Sequence, residues 1–443
     1  MPLDYPIATH TLANGLRVVV SQDTAVPVVA LSLWVDVGSR HEQPGRSGLA
    51  HLFEHLMFEG SANVAEGEHF EALMAQGGRV NATTWFDRTT YFETVPRGAL
   101  ELALWLEADR HGRLLPAVTQ AALDTQRDVV KEEKRQRYDN QPYGTALLRT
   151  GELVFPPGHP YHHPTIGSMA DLDAASLDDV HAFYRTHYGP DTTVLTMAGD
   201  IDPDEGFALA DRYFGGLRPT DRPAARPGPS LEPLTEPVLE SVPGEVPNDR
   251  LYLGFRLPVA HTEEFTACAL ALDALGGLAI SRLYRTLVRR REVASWVSTS
   301  ALGLVDGASL GLVVVDVEDG VDPELVEDLV CAELDRFGEQ GPSPVELEAS
   351  LADTERAWLE ALAGLEERAD LISHFTLLHD DPHHINGYLD AVARVSADTV
   401  RDAAARWLAP GARSSLTFRS EGRGAGSPPE VTGPDLPRPE AAS

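Results

Sequence analysis

The sequence predicts an α+β protein of two homologous domains, each an antiparallel sheet covered by helices on one face. Three observations carry this. Pairing each residue with the one 220 positions later matches His163 with His383, Gly167 with Gly387, Ser176 with Ser396, Asp178 with Asp398, Val180 with Val400 and Pro190 with Pro410. Five prolines crowd residues 219–235, as expected of a connection between the two copies. Short β-branched apolar runs alternate with helix-length segments in which serines precede acidic first turns, the mark of sheet and helix layers.

Taken in chain order, Leu16–Val20 and Val28–Val35 read as paired strands joined by a short polar connection with Pro27. Ser47 is placed to cap a helix running to Gly60. Val80–Thr84 and Thr90–Thr94 form a second strand pair around Asp87-Arg88, a long helix spans Pro116 to Asp139, and Thr192–Met197 is a strand. In both copies a Ser cap, Ser176 or Ser396, opens a helix whose first-turn acids suit the helix dipole. The expected domains are 1–218, the Pro-rich linker 219–235, a second domain 236–420, and a disordered tail 421–443.

With 443 residues and 43% hydrophobic content, the chain is long enough for two cores. Lys+Arg 36 against Asp+Glu 68 leaves a net charge of −32, which argues against nucleic-acid or anionic-membrane partners. Cys268 and Cys331 are the only cysteines, so neither a disulfide framework nor a thiolate zinc site is expected. No run approaches a membrane span and Met1–Thr9 lacks a signal pattern, so the expectation is a cytoplasmic protein.

The chemistry concentrates in His51-Leu52-Phe53-Glu54-His55. Residues four apart share a helix face, so His51 and His55 can reach one ion while Glu54 lies beside them. Two imidazoles suit Zn²⁺, and the carboxylate can take a proton from a water that the ion activates. A pentad of this composition arises by chance in roughly one such chain in twenty, so its context has to decide. A third ligand is required, and Glu132 and Glu133 are the candidates. Val118, Ala122, Val129 and Val130 mark an apolar stripe, with Glu133 near its middle and Glu132 at its edge. Gln126, two turns earlier, is placed either to orient a ligand or to face solvent. At the 220-residue offset the three site positions become Ala271, Ala274 and Leu275, so the second copy has no metal site.

Other features have plainer readings. His159, His162 and His163 lie among prolines in an expected surface loop, and His383-His384 reads likewise. Trp85, Phe86 and Tyr91 read as core rather than as a side-chain pocket.

Three segments together resemble the pitrilysin/insulinase family of zinc peptidases, the inverzincins, and especially short bacterial members related to the mitochondrial processing peptidase β subunit. They are Gly48-Leu-Ala-His-Leu-Phe-Glu-His-Leu-Met-Phe-Glu-Gly60, Asn81-Ala-Thr-Thr-Trp-Phe-Asp-Arg-Thr-Thr-Tyr91 and Gln126-Arg-Asp-Val-Val-Lys-Glu-Glu133. The resemblance implies a zinc endopeptidase, with metal on His51, His55 and Glu133 and with Glu54 as general base. It also implies that peptide substrate adds as a strand near Asn81 and Ala82. The family's downstream Arg and Tyr, seven residues apart, fall here on Val288 and Ser295, unless the register slips to Arg289–Arg291. A homologous partner chain is therefore expected to supply that pair in a heterodimer. The alternative is a non-catalytic, structural core-type subunit of a larger assembly.

Overall fold

The computed structural model describes residues 3–220, 222, 228 and 230–421, so most of the expected disordered tail and part of the Pro-rich linker lie outside the described residues. The chain divides into two compact units: residues 1–134, 163–226 and 359–388 form the first, and residues 135–162, 227–358 and 389–443 form the second. One crossing falls inside the Pro-rich segment. The others do not, because each half of the chain lends one helical stretch to the opposite unit.

In the first unit, β1 (Ala8–Thr11), β2 (Arg17–Gln22), β3 (Val28–Val35), β4 (Arg79–Thr84), β5 (Thr89–Pro96) and β6 (Thr193–Gly199) form one sheet in the order β1-β2-β6-β3-β5-β4. The expected pairing of β2 with β3 is not made. All seven residues of β6 are buried, and this strand lies between the two, parallel to β2 and antiparallel to β3. A strand that apolar is most stable at a sheet centre, where both of its faces are covered.

In the second unit, β7 (Val238–Gly244), β8 (Arg250–Leu257), β9 (Ala294–Leu302), β10 (Ser309–Val317) and β11 (Arg413–Ser420) run in the order β7-β11-β8-β10-β9. This is the first sheet's order without β1. The two end helices of the repeat also correspond: Ser176 caps Leu177–His187 through the Asp179 amide, and Ser396 caps Ala397–Trp407 through the Thr399 amide. Each sheet contains one parallel pair, β2 with β6 or β7 with β11, and is therefore mixed rather than wholly antiparallel.

The exchanged helices add a layer that one-face coverage did not anticipate. Successive strand residues point to opposite faces. Along β3, Ala30 packs with Ala198 against Ala369, Ser32 Oγ lies 3.3 Å from Ser373 Oγ, and Trp34 Nε1 donates to Asp370 (2.7 Å), so this face meets the Leu365–His379 helix. Val29, Leu31, Leu33 and Val35 point the other way and are also fully buried. In the second unit the Ala146–Val154 helix takes the equivalent place on β8. Gly254 makes room for it, since a Cβ there would stand 2.6 Å from Thr150 Cγ2 and 2.9 Å from Val154 Cγ2.

The Ser373 hydroxyl also donates to Thr196 (2.8 Å) at complete burial, so this contact tolerates neither bulk nor an unpaired hydroxyl. Ser373→Leu should destabilise the protein by about 1–3 kcal/mol through overpacking, measured as a fall in the urea midpoint at unchanged m-value.

Candidate metal centre

The pentad lies on the Leu49–Leu56 helix, which buries Leu52, Phe53 and Leu56 and turns His51, Glu54 and His55 to a partly open face. Phe53 holds it from below, packing on Tyr188 with ring centroids 4.4 Å apart and on Phe183 at 5.6 Å. The helix does not start as expected. Ser47 is not its cap; its hydroxyl donates to Asp171 (2.5 Å), and Gly48 holds the cap position at φ +87° with no side chain to offer. The first-turn amides are met instead by Glu42, whose carboxylate accepts from Gly48 N (2.9 Å) and Ala50 N (2.7 Å).

Against this helix packs Gln120–Lys134, which begins where Thr119 Oγ1 accepts from Ala122 N. The expected helix to Asp139 ends its regular part at Lys134 and continues as a wider π-turn over Arg135–Asp139. The expected apolar stripe is corrected in one member. Leu123 and Val130 are fully buried, whereas Val129 is 44% exposed, because one residue moves about 100° around a helix. Glu133, three beyond Val130, shares the buried side and reaches the pentad. Glu132 is exposed.

The three groups converge. Glu133 Oε2 lies 3.7 Å from His51 Nε2 and 3.4 Å from His55 Nε2, and all three ligand atoms are within 4.8 Å of one another. Four ligands placed tetrahedrally around zinc at about 2.0–2.2 Å stand about 3.3–3.6 Å apart, so these separations fit one ion with modest adjustment. His55 Nδ1 meets Gln126 Oε1 (3.2 Å), leaving Nε2 toward Glu133, and Gln126 in turn donates to Glu59 (2.5 Å). Gln126 thus faces the site rather than solvent. Burial draws the His55 imidazole down, but the hydrogen bond and charge of Glu133, with Glu54, outweigh it and leave the pKa above its ordinary value.

Glu54 stands beside this set. Its Oε2 accepts from Thr84 Oγ1 (2.5 Å) at the end of β4. Burial pushes its carboxyl above the ordinary value, against the pull of Thr84, His55 and Arg88. A carboxylate held above its ordinary range is the better proton acceptor. β4 is the edge of its sheet. On it Asn81 is exposed and Ala82 is buried, and Asn81 Oδ1 accepts from Ala82 N (2.9 Å). Tyr91 is fully buried and bonded to Tyr188 through their hydroxyls (2.9 Å), whereas Trp85 and Phe86 are only half-buried in the turn between β4 and β5.

The remaining sequence features are placed as follows. Ala271, Ala274 and Leu275 are buried and apolar, with no ligand among them. Val288 is half-buried in the π-turn Tyr284–Arg290, Ser295 is exposed near the start of β9, and Arg289–Arg291 are exposed. The His-rich segment is not a surface loop throughout. His159 is buried and stacked on Phe155, His162 bonds to Phe155 O (2.7 Å), and His163 bonds to Glu42. His383 is exposed.

Sequence reasoning missed a buried ionic group beneath the pentad helix. Glu107 holds Arg110 in a two-point pair, His69 Nε2 meets Glu93 (2.8 Å), and the guanidinium lies between the rings of Phe58 (4.6 Å) and Tyr91 (4.5 Å). His69, Glu93 and Glu107 also converge as metal ligands would, but Arg110 already neutralises Glu107. Glu107 and Arg110, three apart on a helix, were the available signal.

The chain is similar to known proteins over much of its length. Residues 17–150 match the family described as insulinase (peptidase family M16), and residues 174–352 match the peptidase M16 inactive domain. The zinc protease PqqE of Helicobacter pylori is 28% identical over 373 residues, covering 84% of this chain and 83% of that one. An uncharacterised zinc protease of Mycobacterium leprae is 32% identical over 309 residues, 69% of this chain and 68% of that one. The crystal structure of a protease from H. pylori superposes with a TM-score of 0.87 at 25% identity, covering 94% of this chain and 99% of that chain.

Gln126→Ala should weaken metal affinity about 10-fold, read by competition against a chromogenic chelator, since partners of ligating histidines are worth 10–100-fold. Glu107→Ala removes the carboxylate that pairs with buried Arg110 and should cost about 3–5 kcal/mol in urea unfolding.

Proposed function

The chain belongs to the insulinase family of peptidases, M16, and on that premise we propose that it is a zinc-dependent endopeptidase cleaving peptides or unfolded segments. One observation carries the reading: His51, His55 and Glu133 bring three ligand atoms together beside the carboxylate of Glu54. Both relatives described above are named zinc proteases.

In this reading His51 and His55 present Nε2, and Glu133 presents Oε2, to one zinc ion. The ion, when bound, supplies Lewis acidity that polarises a peptide carbonyl and makes a water acidic. Thr84 holds Glu54 at Oε2, so Oε1 takes the proton of the attacking water and later returns it to the leaving amine. Gln126 keeps the His55 ring in the tautomer that leaves Nε2 unprotonated. The edge of β4 at Asn81 and Ala82 takes the substrate as an added strand, so that main-chain hydrogen bonds position the scissile bond.

A homologous partner chain completes the site with the Arg and Tyr that Val288 and Ser295 replace, making this the zinc-bearing subunit of a heterodimer. The same replacement favours a second reading, a structural subunit without activity. Free Cys268 and Cys331 suit a reducing compartment, and we assign the protein to the cytoplasm. No helix among the described residues is long and apolar enough to cross a membrane.

Glu54→Gln is the deciding variant. It should keep one zinc per chain by elemental analysis while hydrolysis of a fluorogenic peptide, assayed with the partner chain present, falls at least about 100-fold. Retained hydrolysis removes Glu54 as the base. Wild-type protein purified without zinc favours the structural subunit.

A further inference from the structure

The Glu42 carboxylate is an unusual helix cap, being six residues before Gly48 and completely buried. Both of its oxygens are used: Oε2 accepts from Gly48 N and Oε1 from Ala50 N, the amide directly before His51. A buried carboxylate needs a further partner, and His163 provides it, with Nε2 3.0 Å from Oε2 and 2.9 Å from Ser39 O. Burial pushes the Glu42 carboxyl up while His163 and the two amides draw it back.

The segment carrying His163 is itself locked to the turn that precedes the helix. Gly48 and Gly167 both have positive φ, and a Cβ on Gly48 would stand 2.9 Å from the Gly167 Cα, while one on Gly167 would stand 2.4 Å from the Gly48 Cα. Ser168 N donates to Ser47 Oγ (3.0 Å), and Ser47 N donates to Asp171 (2.9 Å). At the other end of the helix, Phe58 N donates to His55 O (3.0 Å) and its ring rests on Arg110. Leu49–Leu56 makes barely two turns, and a helix this short has little intrinsic stability. Its orientation comes from its buried face, Leu52, Phe53 and Leu56, together with what holds its ends.

We propose that Glu42, braced by His163, is a positioning residue of the metal centre: by capping the Leu49–Leu56 helix it refines the rotation, set first by the buried face, at which His51 and His55 face Glu133. Glu42 touches neither metal nor substrate in this role. The His-rich segment then acts through the helix cap, one step removed from the ligands. The inference rests on the zinc site proposed above, and the experiment separates the two.

Amide exchange at Gly48 and Ala50 is followed in metal-free protein, and Co²⁺ affinity and the visible spectrum of the cobalt-loaded protein are followed in parallel. Glu42→Ala should speed exchange at both amides about 5- to 30-fold, the loss of one cap. It should also weaken Co²⁺ binding several-fold and alter the spectrum. His163→Ala should move the same readouts in the same direction, and His163→Gln, which can still donate to Glu42, should restore them toward wild type. Unchanged exchange in folded Glu42→Ala overturns the inference, as does faster exchange with wild-type Co²⁺ affinity and spectrum. His163→Ala and His163→Gln behaving alike overturns the bracing role. Wild-type protein that takes up no Co²⁺ overturns the proposed zinc function and this inference with it.

Discussion

Contact between two helices is the constraint on which the site depends. His51 and His55 share a face of one, and Glu133 belongs to the other, so their spacing is set by how Leu49–Leu56 and Gln120–Lys134 pack. Leu52, Phe53 and Leu56 press the first helix inward, while Leu123 and Val130 do the same for the second. The polar groups meet because the apolar ones leave them no other direction. Once there, a carboxylate and two imidazoles in a half-buried setting gain from a shared cation.

Support for that contact comes from more than one direction. Phe53 on Tyr188, the Tyr188–Tyr91 hydroxyl pair, Arg110 on Tyr91 and Phe58, and Glu107 on Arg110 form a continuous chain of contacts under the helix. Removing one member of such a buried ionic group leaves a charge poorly compensated, which is costly. The exchanged helices act on a larger scale. Leu365–His379, from the far half of the chain, closes the second face of the sheet that carries the site.

Much of the site was legible because it obeys local periodicity. The pentad needs only the i, i+4 rule, and Glu133 was preferred to Glu132 by its angle to Val130. The repeat was visible because Ser176 and Ser396 cap helices by a contact three residues long. Most of the misreadings are non-local. Ser47 has the right chemistry for a cap, but Gly48 in a left-handed conformation and Glu42 from an earlier turn took that role. β2 and β3 looked paired because they are consecutive, whereas β6, about 160 residues on, supplies the better-buried neighbour. Val129 turns outward beside buried Val130, a difference of one residue that periodicity over a few residues does not resolve.

The sequence by itself determined which groups gather: two imidazoles and a carboxylate on one helical turn, a second carboxylate that reaches them, a second copy without these residues, and a family. Those follow from residue type and spacing, which chain connectivity preserves. Tertiary structure alone decided which carboxylate caps the Leu49–Leu56 helix, which strand separates β2 from β3, and which half of the chain covers each sheet. These depend on contacts between residues far apart in sequence, and composition carries no record of which partner wins such a competition.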